Sequence, residues 1–384
     1  MSENAREYKL RLPTFDELTD DQKNAVNAQK PIKLSGLAGT GKSVVSIWRH
    51  VENIKNSKNS VLICFNKTLH RYLWLATMEV DKVHNTSASS KVHTLYGFAA
   101  RYIGKDDSGK PKFEWGGDCR GWQVYCQNGQ KLDEIIIDEA QDLEYMAFKA
   151  LRDMSDDISC GADYNQNINK SIIEEKLEDF LKQNKNGFSE IILYDNYRNS
   201  YHIANFIAAF IPQIDQSIPT LNELKFRKEG VRPYIYINEN NDVTTDIDII
   251  KDLIKRFSEG SIAVLLPYAT QNDLSVECYY DRLKTFGATK YHNEMKKDEF
   301  QLSGFFITTF KSSKGLEFDT VIIPRIDYMD EYLQKGKKAD NYKEYYVALS
   351  RARTNLYLIS NKELSKLECF HGVNSELYEV EYFE

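Results

Sequence analysis

One octapeptide constrains this chain more than any other part of it. Residues 36–43 read GLAGTGKS, directly after the short apolar run IKL and directly before VVSIWRH, a stretch with helical spacing. Strand, glycine-rich loop and helix in that order form the phosphate-binding P-loop, and the flanking elements are the context the motif requires. Gly36, Gly39 and Gly41 fit because the backbone has to curl around phosphate oxygens with its N–H groups pointing inward, and the following helix adds the positive end of its dipole. Thr40 lies in the same loop. Lys42 then supplies a point charge to the β and γ phosphates, and Ser43 a hydroxyl ligand to Mg²⁺. A glycine-rich turn that binds nothing is the plain alternative, and it leaves the Lys-Ser pair and the helix unexplained.

A P-loop needs parallel strands beneath it, and the chain supplies them. Short β-branched or apolar runs recur at 32–34, 61–65, 135–138, 158–161, 191–193, 263–267, 305–309, 320–324 and 356–360. Amphipathic stretches such as 44–56 and 145–154 lie between them. This alternation predicts an α/β fold with a doubly wound parallel sheet, twice over. The length of 384 residues agrees, since single domains run to roughly 150 to 200 residues. The polar stretch 176–189 marks the boundary region, with the break near residue 190. Residues 1–190 then form the first domain and 191–384 the second, with a small hairpin insertion at 104–129 and a solvated basic loop at 334–340.

A second motif carries the chemistry. Residues 134–143 read EIIIDEAQDL, an apolar strand ending in adjacent acids. Carboxylates at the end of a buried strand are costly unless something pairs with them. Beside a P-loop, Asp138 is placed to hold Mg²⁺ through water, and Glu139 to orient and deprotonate the attacking water. The same acids could instead cap a helix.

Bulk properties narrow the setting. Hydrophobic residues at 42% and charged residues at 28% describe a folding globular chain. No window approaches the roughly 18 apolar residues of a membrane span, and the polar N-terminus has no signal-peptide core, which predicts a cytoplasmic protein. The six cysteines lack zinc-type spacing and are expected as free thiols. A net charge of −7 argues against wholesale coating by nucleic acid while allowing a local basic groove.

In order and content these motifs resemble the superfamily 1 helicases, specifically the UvrD/Rep-like branch, over residues 15–360. LTDDQ at 18–22 looks like the family's glutamine motif, which implies that Gln22 reads the adenine edge. GADYNQ at 161–166 is similar to the motif whose glutamine senses the γ phosphate, here Gln166. LYDNYRNS at 193–200 is similar to the motif whose tyrosine stacks on adenine and whose arginine reaches the γ phosphate, here Tyr197 and Arg198. FITTFKSSKGLEF at 306–318 implies that Glu317 contacts the ribose, and YVALSRAR at 346–353 makes Arg351 the arginine finger. The implied fold is two RecA-like domains with nucleotide in the cleft between them, and the implied cofactors are ATP and Mg²⁺. VLICFNKTL and VHTLYG resemble motifs that border the family's nucleic-acid groove. The implied contacts to a single strand of nucleic acid, taken as DNA, are Phe65, Asn66, Lys67, His93, Thr94, Thr309 and Lys311.

The chain also departs from the family. The intervals from His93 to Asp138 and from Arg198 to Thr308 are short where relatives carry large insertions, so the chain reads as a reduced form. NINKS follows Gln166 where relatives carry base-stacking aromatics, Val44 stands where an arginine is common, and Lys311 where a histidine is common. Two functional readings follow: an ATP-driven motor on single-stranded DNA with at most limited unwinding, or an ATPase switch that serves a protein partner such as a nuclease or toxin.

Overall fold

The computed structural model describes Tyr8 and residues 10–102, 131–168, 174–212, 220–226, 228–257, 259–270, 272–292, 295, 303–335 and 338–383. The hairpin expected at 104–129 lies outside the described residues, as do Cys119 and Cys126. The other four cysteines are free thiols.

The chain divides into two compact units. One is Leu10–Tyr194, and the other is Asp195–Glu384 joined by the first residues of the chain. Each is built on a parallel sheet, and each has the RecA-like α/β arrangement.

In the first unit the strands are β1 (Ile32–Ser35), β2 (Ser60–Cys64), β3 (Val92–Thr94), β4 (Glu134–Ile137), β5 (Ile158–Ala162) and β6 (Ser189–Ile192). Their order across the sheet is β3-β2-β4-β5-β1-β6, and every pairing is parallel. Helices α1 (Asp20–Asn27), α2 (Lys42–Lys55), α3 (Lys67–His84), α4 (Leu95–Tyr102), α5 (Tyr145–Met154) and α6 (Glu174–Leu181) connect them. One sheet face packs Val61, Ile63, Ile135, Ile137 and Ile158 against Phe98, Phe148, Leu151 and Phe180 in one apolar core. Truncating a fully buried ring such as Phe148 to alanine typically costs about 3–5 kcal/mol.

Charges buried in this unit hold particular elements together. Arg49 of α2 donates from Nε to Glu134 Oε1 at 2.8 Å, and from Nη1 and Nη2 to the Ala28 and Lys30 carbonyls, which fixes the end of α1. Asn53 and Ser159 complete the shell around Glu134. Lys33 of β1 is buried among Glu174 and Glu178 of α6 and Glu190 of β6. A buried cation persists only when paired in this way. The pairing also explains a difference from the sequence reading. The polar stretch 176–189 is not a linker, because α6 supplies Lys33 with partners and β6 pairs in register with β1. The chain passes between units after Tyr194, a few residues beyond the expected break near 190.

The second unit contains β7 (Asp195–Asn196), β8 (Lys225–Phe226), β9 (Tyr234–Asn238), β10 (Ile262–Leu266), β11 (Thr289–Tyr291), β12 (Phe305–Thr309), β13 (Phe318–Ile323), β14 (Ala352–Ser360) and β15 (Glu379–Phe383). The large sheet runs β11-β12-β10-β13-β14-β9-β15, again parallel throughout, and β7 pairs with β8 separately. Its helices are α7 (Tyr201–Phe210), α8 (Val243–Arg256), α9 (Val276–Leu283), α10 (Tyr328–Lys335) and α11 (Lys338–Leu349). The basic run at 334–340 is thus not a free loop, since it ends α10 and begins α11, with residues 336 and 337 outside the described set. Alternation also failed to show β3, β7, β8, β9, β11 and β15.

Candidate functional site

Register places the first site. β5 lies between β1 and β4, with Ser35 opposite Ala162 and Ile137 opposite Cys160. The residues just past the ends of the three strands, Gly36, Asp163 and Asp138, therefore come together at the carboxyl edge, where open α/β sheets bind ligands. Two glycines are sterically required there. A Cβ on Gly36 would come 2.5 Å from Thr40 Oγ1, and one on Gly41 (φ 91°) would come 2.4 Å from Gln22 Nε2. Gly41 in this left-handed conformation is the residue from which α2 starts.

Within the loop, Lys42 Nζ donates to the carbonyls of Gly36 at 2.7 Å and Leu37 at 3.1 Å and lies 3.9 Å from Asp163 Oδ2. Ser43 Oγ donates to Asp138 Oδ2 at 2.7 Å, and Ser46 Oγ to Asp138 Oδ1 at 2.9 Å. Asp138 is 1% exposed, and burial together with the Glu139 charge pushes its carboxyl up to about 6, against the pull of both serines and Lys42. Glu139 takes a left-handed backbone (φ 57°), unusual for a side-chain-bearing residue, and its carboxylate accepts from Gln141 Nε2. Gln141 Oε1 in turn accepts from the Asp163 amide at 3.1 Å, and Gln166 Nε2 donates to Asp163 Oδ2 at 2.7 Å.

Thus Lys42, Ser43, Asp138, Glu139 and Gln166 meet as one polar cluster within this unit. Gln22 is nearby: its Nε2 donates to the Thr40 carbonyl at 3.3 Å, while its Oε1 closes a capping box on Thr19. Asp163, Gln141 and Ser46 belong to the cluster and were missed from sequence. Ser46 stands one helical turn after Lys42, a spacing that could have flagged it.

The fit to Mg²⁺ rests on the Ser43–Asp138 pair, two oxygen ligands at the end of β4, which suits an ion that keeps most of its water. Among the described residues no group of three His, Cys, Asp or Glu side chains is arranged to hold a metal.

In the second unit, Arg198 Nε donates to Glu317 Oε2 at 3.0 Å, and Arg353 Nη1 donates to Glu317 Oε1. Burial opposes ionisation of Glu317, yet the two guanidinium groups outweigh it and hold the carboxyl below its ordinary range. Asn199 explains why motifs so distant in sequence meet: its Nδ2 donates to the Ser350 carbonyl at 3.2 Å and the Ala352 carbonyl at 2.7 Å. Asn196 Oδ1 shapes the turn by accepting from the amides of Arg198 and Asn199. Tyr197 is half-buried beside Arg198 in sequence. Tyr8 packs edge-on to Phe318, and its hydroxyl accepts from the Glu317 amide.

Arg351 is placed differently from its neighbours. It is 1% exposed, donating to the Val347 and Leu316 carbonyls and to Ser350 Oγ. Action as an arginine finger requires it to give up these three acceptors. Sequence reasoning missed Asn196, Asn199 and Arg353.

The expected nucleic-acid contacts fall in two sets. In the first unit Phe65 is half-buried 6.2 Å from the exposed ring of Tyr96, Asn66 caps α3 by accepting from the Thr68 amide, and Lys67 is exposed. His93 lies 6.0 Å from Phe98, and Thr94 Oγ1 accepts from the Gly97 amide. All five sit at or just past the carboxyl ends of β2 and β3. In the second unit Thr309 ends β12, with its hydroxyl accepting from the Ser312 amide, and Lys311 pairs with Glu344 at 3.2 Å.

Comparison with known proteins bears on the second unit. Residues 281–363 match the family described as the UvrD-like helicase C-terminal domain. The segment runs from α9 to the end of β14 and contains Thr309, Lys311, Glu317, Arg351 and Arg353. No curated protein matches the chain. Two solved structures align partially. The C-terminal domain of a possible DNA helicase from Lactobacillus plantarum is 20% identical, with 48% of this chain and 98% of that one covered and a TM-score of 0.33. The arterivirus nonstructural protein 10 helicase, solved in complex with DNA, is 12% identical, with 92% and 65% covered and a TM-score of 0.41. This chain thus spans 65% of the length of the arterivirus protein.

Proposed function

We propose that this chain is a superfamily 1 helicase-like motor that hydrolyses ATP and couples each turnover to movement along single-stranded DNA. The observation that carries the reading is the cluster in the first unit, where a P-loop lysine, a serine–aspartate pair and a glutamate lie together beside a glutamine. These groups match the needs of phosphoryl transfer, in which catalysis is mostly positioning and charge neutralisation. Lys42 neutralises the phosphates, and Ser43 with Asp138 supplies the oxygens that would hold Mg²⁺. Bound there, the ion would screen charge on the phosphate oxygens. Glu139 holds and deprotonates the attacking water, with Gln141 orienting its carboxylate. Gln166, tied to Asp163, senses the terminal phosphate. Gln22 and Tyr197 bind adenine, Glu317 the ribose, and Arg198 and Arg351 the γ phosphate.

In this scheme the second unit completes a reaction that the first cannot run alone. An arginine supplied this way contributes roughly 10³ to 10⁵ in rate. Nucleotide state then becomes motion, because the arginines are held only while the terminal phosphate is present. The strand is held by Asn66, Lys67, His93, Thr94, Thr309 and Lys311 through its backbone, with Phe65 as a stacking platform. The short intervals before Asp138 and Thr308 make the chain a reduced form, a motor core with limited unwinding.

The test is ATP turnover with and without single-stranded DNA, RNA and duplex. Single-stranded DNA should raise turnover several-fold, and Glu139→Gln should abolish it while ATP still binds. Turnover that ignores every polymer but responds to a co-purified protein would replace the motor with the partner-regulated switch.

A further inference from the structure

Glu317 has two guanidinium partners and the proposed function removes one of them. If Arg198 turns to the γ phosphate, a carboxylate whose side chain is only 17% exposed is left with half its counter-charge. A buried acid in that position either protonates or moves. We propose that Arg353 is a positioning residue that keeps Glu317 charged and in place while Arg198 is engaged by nucleotide, so that Glu317 remains able to accept from the ribose hydroxyls. The inference rests on the ATPase reading above.

Three observations carry it. Arg353 and Arg198 approach different oxygens of the same carboxylate, Oε1 and Oε2, so either can leave without displacing the other. Arg353 itself engages Glu317 with Nη1 alone. An arginine beside a carboxylate is most favourable as a two-pronged fork. Departure of Arg198 frees Oε2 for the neighbouring Nη2 of Arg353, which lies beside Nη1 at the end of the guanidinium and completes that fork. Finally, Arg353 lies on β14 beside the residues that Asn199 staples, since Asn199 Nδ2 binds the Ala352 carbonyl. The strand that carries Arg353 is thus tied to the turn that carries Arg198, and the pair stays in register when one partner changes.

Arg351 cannot take this role. Its three guanidinium nitrogens, Nε, Nη1 and Nη2, donate to the Val347 carbonyl, the Leu316 carbonyl and Ser350 Oγ, and none of these bonds goes to Glu317.

The experiment compares steady-state hydrolysis of ATP and of 2′,3′-dideoxy-ATP by the full chain. The native protein should have a KM for the dideoxy nucleotide about tenfold above that for ATP, with similar kcat. Arg353→Gln should raise the KM for ATP and bring the two KM values to within about threefold of each other, kcat changing less than KM. Arg353→Lys, which keeps the charge, should restore most of the discrimination. If Arg353→Gln does not fold, Arg353→Met keeps the volume of the buried stem and serves the same comparison. In a Glu317→Gln background, Arg353→Gln should add no further change in KM. Unchanged discrimination in folded Arg353→Gln or Arg353→Met overturns the inference and leaves the ATPase reading standing. So does a native enzyme indifferent to the missing hydroxyls, or an additive loss in the double variant. A native protein without ATPase activity overturns both.

Discussion

Replacing Asp138 by asparagine should make the protein more stable and inactive at once. Asp138 is almost fully buried, and its carboxyl is raised from 3.8 to about 6 by burial first and by Glu139 second. A raised acid favours the folded protein when protonated. Its contribution is fully present below about pH 3.8 and is lost as pH rises through about 6. Above pH 6, then, the folded state carries a buried charge that the unfolded chain carries in water. At about 1.4 kcal/mol per pH unit the cost is on the order of 3 kcal/mol. Asparagine has the same shape, still accepts from the Ser43 or Ser46 hydroxyl, and carries no charge. Urea unfolding should show Asp138→Asn more stable than native by up to about 3 kcal/mol at pH 8, with the gap closing between pH 6 and 4. Mg²⁺-dependent ATP turnover should fall at least about a hundredfold, since the metal-side carboxylate is gone. A variant less stable than native at pH 8, or a gap of constant size from pH 8 to 4, would refute the reasoning. Such an outcome would mean that the serine hydrogen bonds, and not desolvation, dominate at this position.

Other expectations follow from the same geometry. The affinity of the native protein for Mg²⁺-ATP should fall as pH drops below about 6, because Asp138 protonates, and titration calorimetry across that range would measure it. Arg49→Met leaves Glu134 buried with Asn53 and Ser159 but no cation, which should cost about 3–5 kcal/mol in urea unfolding; a loss under about 1 kcal/mol would contradict the assigned role. Gly41→Ala forces a left-handed alanine against Gln22, so KM for ATP should rise while the unit stays folded by circular dichroism. Lys67→Glu should weaken stimulation by single-stranded DNA and reduce its salt dependence, measured as turnover against salt concentration.

The sequence alone named most of the side chains that meet at the carboxyl edge of the first sheet. GLAGTGKS and EIIIDEAQDL are short and contiguous, and where their side chains fall depends on local backbone shape and on residue order at a strand end. Lys42, Ser43, Asp138 and Glu139 could therefore be named before any fold was known, and the parallel α/β class followed from the strand-loop-helix around them. Tertiary structure decided what depends on partners far away in the chain. Asp163 joins the cluster only because β5 inserts between β1 and β4. The polar stretch at 176–189 looked like a linker because Lys33, the cation that neutralises Glu178 and Glu190, is more than a hundred residues upstream. Between Arg351 and Arg353 the sequence offers two arginines of equal charge two positions apart. Packing separates them: one is buried against backbone carbonyls and the other meets Glu317. The identity of a charge is written locally, but its solvation and its partner are set by whatever the fold brings against it.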